Sequence, residues 1–216
     1  MASKNKKNAT EYAENLSHEL LTPLAIIRSK AELLLQSPNL KSDDLKNIDA
    51  IIKNVARMNS LNRSLILLSK IDNKVYEDRE EVNIQEVCEE ALENYENQIR
   101  LKSLKIRVKS SSESTITTNR TLIEILVNNL LKNAVTHNVL DGEITIVIDA
   151  SFFTIQNSFD QKHPPPKNHF KRFTTSKGDK GSIGLGLSIV KRIVKFLNFD
   201  LHVELNHHTY STKIIF

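Results

Sequence analysis

At 216 residues, 39% hydrophobic and 26% charged, the chain has room for one large globular domain or two small ones, and its composition excludes wholesale disorder. A net charge of +4, spread along the chain without basic blocks interleaved with aromatics, does not point to nucleic acid. Cys88 is the single cysteine, so no internal disulfide forms and a reducing, cytoplasmic setting is natural. No apolar run reaches the roughly 18 residues of a membrane span, and Met1-Ala2-Ser3-Lys4 does not resemble a signal peptide. The expectation is that any sensor or membrane segment of the parent protein lies upstream of Met1.

From about Ala9 to Ile71 the pattern is helical. Leu16, Leu20, Leu24, Ile27, Ala31 and Leu34 step by three or four residues and line one helix face. After Ser37-Pro38-Asn39, the run Ser42-Asp43-Asp44 offers a capping residue and first-turn acids that suit the positive end of a helix dipole. Leu45, Ile48, Ile52, Val55, Met58, Leu61, Leu65 and Leu68 then repeat the stripe. Two helices alone cannot bury stripes this wide, so the hairpin is expected to dimerise into a four-helix bundle.

The polar stretch from Asn73 to Asp78 reads as a linker, and elements of both kinds follow. Val82 to Ile84 has the look of a short strand, Gln85 to Lys102 a helix and Ile106 to Val108 a strand. Thr115 to Thr117 leads through Asn119, a helix cap, into a helix from Thr121 to about His137. Ile144–Ile148 and Phe152–Ile155 alternate as paired strands, and a helix from Gly186 to Phe196 precedes strands over Leu201–Leu205 and Thr209–Phe216. The fold class expected is α+β: a helical hairpin over 1–72, a linker over 73–79, and an α/β sandwich domain over 80–216.

Three constellations carry chemistry. In Ser17-His18-Glu19-Leu20-Leu21-Thr22-Pro23, His18 falls off the apolar stripe and faces solvent, where neutral imidazole is a competent nucleophile. Glu19 is suited to hold one ring nitrogen by a hydrogen bond, Thr22 lies one turn on and is suited to hold a water, and Pro23 disturbs the helix locally. In Asn128-Asn129-Leu130-Leu131-Lys132-Asn133-Ala134, Asn129 and Asn133 share a helix face, and their amide oxygens are neutral hard ligands for Mg²⁺. In Gly181-Ser182-Ile183-Gly184-Leu185-Gly186-Leu187, the glycines let backbone N–H groups approach a phosphate chain beside a helix N-terminus. The Gly-Lys-Ser/Thr ending of a Walker loop is missing. Each pattern alone has a plain structural alternative: an exposed histidine, a helix with surface amides, a loop–helix junction.

Together, in this order, these residues resemble the sensor histidine kinase family over nearly the whole chain. Ser-His-Glu-Leu-x-Thr-Pro-Leu, from Ser17 to Leu24, resembles its phospho-acceptor box, with His18 as acceptor; Asn129 to Ala134 resembles its asparagine box; Phe170-Lys-Arg-Phe173 its lid motif; and Gly181 through Lys191 its second glycine box. The resemblance implies a dimerising hairpin followed by an ATP-binding domain of the histidine kinase/gyrase/MutL type. It further implies ATP and Mg²⁺ as cofactors, with Asn133 on the metal. The implied activity is autophosphorylation of His18 with transfer to an aspartate of a response-regulator receiver domain docking near Ile26–Leu35, and phosphatase action through Thr22.

Two departures stand out. Asn157 replaces the aspartate that accepts from the adenine amino group, and Thr136-His137 replaces a basic residue and an aromatic, with Lys132, His137 and Lys177 as candidates to compensate near the phosphates. The lid implied by the resemblance runs from about Ser158 to Gly181. Asn129 stands where gyrase-like relatives carry a glutamate base; an amide cannot take a proton from water, which favours phosphoryl transfer over hydrolysis. The alternative is a degenerate kinase acting mainly as a phosphatase or dimeric binding module.

Overall fold

The computed structural model describes residues 19–111, 114–161 and 185–216. They fall into two compact units that part between Val75 and Tyr76.

The first unit is a helical hairpin. Helix α1 covers residues 19–34 and carries Pro23 within it; α2 spans Ser42–Asp72. Ser42 is the first helical residue of α2 rather than its cap. The closing bond comes from Asp44, whose carboxylate accepts from the Lys41 N–H at 3.1 Å. The apolar stripes are only partly used: Leu24 and Ala31 on α1, and Ile48 and Val55 on α2, are buried, each pair seven residues apart. A second set at the same spacing, Leu20, Ile27 and Leu34 with Ile51, Met58 and Leu65, is exposed. Period seven on a helix keeps each row on one side, the pattern of a coiled-coil-like bundle.

Helix α2 ends in a Schellman motif. Lys74 N–H donates to Ile71 O at 3.1 Å and Val75 N–H to Lys70 O at 3.0 Å, while Lys74 takes the left-handed conformation at φ 60°.

The second unit is an α/β sandwich. Strands β2 (Lys105–Ser110), β4 (Glu143–Ile148), β5 (Phe152–Ser158), β7 (Thr209–Ile215) and β6 (Asp200–Leu205) form one sheet in the order β2-β4-β5-β7-β6, with β2 and β4 parallel and the other pairs antiparallel. Strands β1 (Glu80–Asn83) and β3 (Thr115–Thr118) make a separate antiparallel ribbon. Alternation decides the faces. Ile144, Ile146, Ile148, Phe153, Ile155 and Ile214 point inward, where α5 (Arg120–Thr136) packs on β5 and α6 (Gly186–Leu197) on β6. Each of these helices brings its own apolar face, Leu122, Leu126, Leu130 and Ile123 from α5, and Ile189, Val190 and Ile193 from α6.

The long helix expected from Gln85 to Lys102 is two helices, α3 (Ile84–Glu93) and α4 (Glu96–Leu101). Ile84, expected in a strand, opens α3, because the Asn83 side chain accepts from the N–H groups of Gln85 (3.0 Å) and Glu86 (3.5 Å) and ends the strand one residue earlier. Asn119 caps α5 as expected, accepting from Leu122 N–H at 3.0 Å.

Candidate active site

Helix α5 carries the asparagine pair and α6 opens on the last residue of the glycine series. Asn129 Nδ2 is tied back to Ile125 O at 2.7 Å, which turns its Oδ1 outward from the helix. A Cβ placed on Gly186 would stand 3.0 Å from Asn129 Oδ1 and 3.8 Å from Asn133 Oδ1. The two amide oxygens therefore converge on the first residue of α6, and a side chain at that position would have to push the Asn129 amide aside. Asn133 Nδ2 is buried and has no hydrogen-bond partner among the described residues, a costly condition that a polar ligand would relieve.

The first turn of α6 supplies the complementary charge. The N–H groups that open a helix have no intrahelical acceptor and sit at the positive end of its dipole. Leu185, buried ahead of Gly186, starts the helix by accepting from Ile189 N–H at 2.9 Å and from Ser188 Oγ at 2.8 Å. Leu187 is half-buried on the first turn. Neutral oxygens facing a positive helix end suit a polyphosphate with Mg²⁺, which keeps phosphate oxygens and waters and takes few ligands from protein. Among this chain's residues, Asn133 and Asn129 fit that ion.

Of the remaining candidates, Lys132 and His137 are exposed on α5 or just beyond it, with His137 N–H donating to Asn133 O at 2.9 Å. Asn157 lies on the inner face of β5, buried and paired in register with Ile144 and Tyr210; its Nδ2 donates to Ser158 O at 2.8 Å. A carbonyl accepts and cannot donate, so the amide is oriented with Oδ1 left as the acceptor. Glu19 and Thr22 are exposed on α1, in the other unit, and Leu24 behind them is buried. His18, Lys177, Gly181, Gly184 and the lid motif at Phe170–Phe173 lie outside the described residues.

Sequence reading missed Lys102. Its Nζ donates to Val135 O (2.9 Å), Thr136 O (2.7 Å) and Asn138 O (3.2 Å), closing the carbonyl end of α5 from a position more than 30 residues earlier in the chain. Burial lowers its pKa through desolvation. Nothing local in the sequence marks it.

Residues 9–74 match the His Kinase A phospho-acceptor domain, and residues 118–216 match the domain of histidine kinase-, DNA gyrase B- and HSP90-like ATPases. The chain belongs to the sensor histidine kinase family. The sensor protein CiaH of Streptococcus pneumoniae serotype 4 is 30% identical over 205 residues, covering 90% of this chain and 46% of that protein. This chain thus spans about half the length of the curated relatives it matches. In fold, it is similar to full-length ShkA solved in complex with AMPPNP, at TM-score 0.66 and 21% identity over 94% of this chain and 45% of that one. The Acinetobacter baumannii histidine kinase AdeS gives a TM-score of 0.59 at 18% identity, over 92% of this chain and 96% of that one. Both domains expected of a histidine kinase core, the phospho-acceptor hairpin and the ATPase-type sandwich, are present in the order expected.

Proposed function

We propose that the chain is the catalytic core of a sensor histidine kinase: it phosphorylates His18 from ATP and passes the phosphoryl group to an aspartate of a response-regulator receiver domain. The observation that carries this reading is the convergence of Asn129 and Asn133 on Gly186 at the N-terminus of α6. The AMPPNP bound by ShkA supports a nucleotide as the occupant of the corresponding domain here.

In this reading the α6 amides and Asn129 orient the triphosphate, and the buried acceptor at Asn157 reads the adenine amino group. Mg²⁺ held through Asn133 would neutralise charge on the phosphates. A ring nitrogen of His18 attacks the γ-phosphorus, a P–N bond forms as the bond to the ADP oxygen breaks, and ADP leaves. Glu19 accepts a hydrogen bond from the other ring N–H and eases loss of its proton. Asn129 has no proton-accepting function, so water in the site is not activated and the phosphoryl group goes to imidazole. Lys132, His137 and Lys177 lend positive charge or donors near the phosphates, with Gly181 and Gly184 in the loop ahead of α6, and Thr22 serves dephosphorylation of the partner.

The exposed rows Leu20, Ile27, Leu34 and Ile51, Met58, Leu65 fit a second copy of the hairpin and a four-helix bundle. Phosphotransfer to two different acceptors requires the two units to change their relation, with the 73–79 linker as hinge. Among the described residues no helix is long and apolar enough to cross a membrane; this core works on the cytoplasmic side, where ATP is.

Incubation with γ-³²P-ATP and Mg²⁺ is expected to give an acid-labile, base-stable label that disappears in His18→Gln. A label that persists in His18→Gln, or none in the native dimer, would overturn the reading.

A further inference from the structure

The Lys102 ammonium gives all three of its protons to backbone carbonyls: Val135, Thr136 and Asn138 at 2.9, 2.7 and 3.2 Å. Lys102 is itself the residue that ends α4, a short helix closed by its own Schellman motif, with Ser103 at φ 52°, Ser103 N–H on Arg100 O and Leu104 N–H on Ile99 O. The same residue's carbonyl accepts from Asp141 N–H at 2.9 Å. One residue thus ties the end of α4 to the end of α5 and to the turn that leads into β4.

The carbonyl end of α5 needs such a partner. Its last turn contains no basic residue, although the last carbonyls of a helix are unpaired and carry the negative pole of the dipole. The closing turn starts at Asn133, whose carbonyl accepts from His137 N–H. A polyphosphate held at Asn133 would sit about one helical turn, roughly 5.4 Å of rise, from this negative pole. At that separation, beside the buried Asn133 amide nitrogen, the repulsion would be appreciable.

We propose that Lys102 is a positioning and charge-compensating residue of the nucleotide site, neutralising the carbonyl end of the asparagine helix so that an anionic polyphosphate is tolerated beside Asn133. It substitutes in space for the basic residue that the last turn of α5 lacks in sequence. The inference rests on the nucleotide-site reading above, and its distinctive consequence is that the effect scales with ligand charge.

The test is competition of ATP, ADP and adenosine against a fluorescent ATP analogue, on the native chain, Lys102→Met and Lys102→Arg, well below each melting temperature. In Lys102→Met, ATP affinity should fall roughly five- to tenfold relative to adenosine, with ADP between them, and Lys102→Arg should return to within about twofold of the native chain. Equal losses for all three ligands, or none, would overturn the proposal and leave Lys102 a structural clamp. If Lys102→Met does not fold, Lys102→Gln, which keeps two donors without charge, carries the same expectation. A native chain that binds none of the three would overturn the nucleotide-site reading itself, and this inference with it.

Discussion

Gly186, which opens α6, and Asn129, on α5, approach until a single added carbon would stand 3.0 Å from the Asn129 amide oxygen. This contact joins the glycine series to the asparagine pair. Gly186→Ala is expected to push Asn129 aside or open the helix pair slightly. Nucleotide affinity should drop by about tenfold while the melting temperature changes by only a few degrees, since the added methyl displaces one side chain rather than backbone. Titration with a fluorescent ATP analogue, alongside thermal melting, checks this; unchanged affinity would place the nucleotide elsewhere.

Asn157 is a case where restoring the family's residue should do harm. Its Nδ2 donates to Ser158 O at 2.8 Å in a buried position. A carboxylate there has no proton to give and would set two acceptors against each other. Asn157→Asp is expected to lose about 1–3 kcal/mol of stability at neutral pH. Affinity for ATP should not rise. Chemical denaturation of the two proteins decides it, and a stabilised or tighter-binding variant would refute the amide's orientation.

The junction between the units is built on a left-handed lysine, Lys74, at φ 60°. Glycine adopts this conformation without a Cβ penalty, so Lys74→Gly is expected to cost little and to leave nucleotide affinity unchanged. Glu77→Pro, which stiffens the exposed linker beyond it, should slow His18 labelling several-fold more than it changes affinity. Parallel losses in both would count against a hinge.

Cys88 is buried on α3, where desolvation, and then the charge of Glu89, push its thiol up to about 12. At pH 8 its thiolate is scarce and shielded, so native protein should resist iodoacetamide and react only after denaturation. The linkage has a definite sign. The unfolded chain ionises first, so stability is unaffected below the ordinary value of 9.0 and falls as pH rises from there toward about 12. The slope approaches roughly 1.4 kcal/mol per pH unit. Denaturation curves from pH 8 to 11, compared with Cys88→Ala, measure it.

Much of this protein is written in local pattern. The period of Leu24, Ala31, Ile48 and Val55 is enough for a helical hairpin, and the alternation of Ile144, Ile146 and Ile148 for a strand with one buried face, because both periods follow from backbone geometry alone. Asn129 and Asn133 share a face for the same reason. Helix ends were harder: Asp44 closes α2 from inside, and a turn at Asn94-Tyr95 divides what reads as one helix. Such breaks depend on a few hydrogen bonds that composition barely signals. Tertiary structure alone decided which groups meet across long stretches of chain. Gly186 against Asn129 and Lys102 on the end of α5 are pairings of residues far apart in sequence, chosen by how helices pack on the sheet, and no local period encodes that choice.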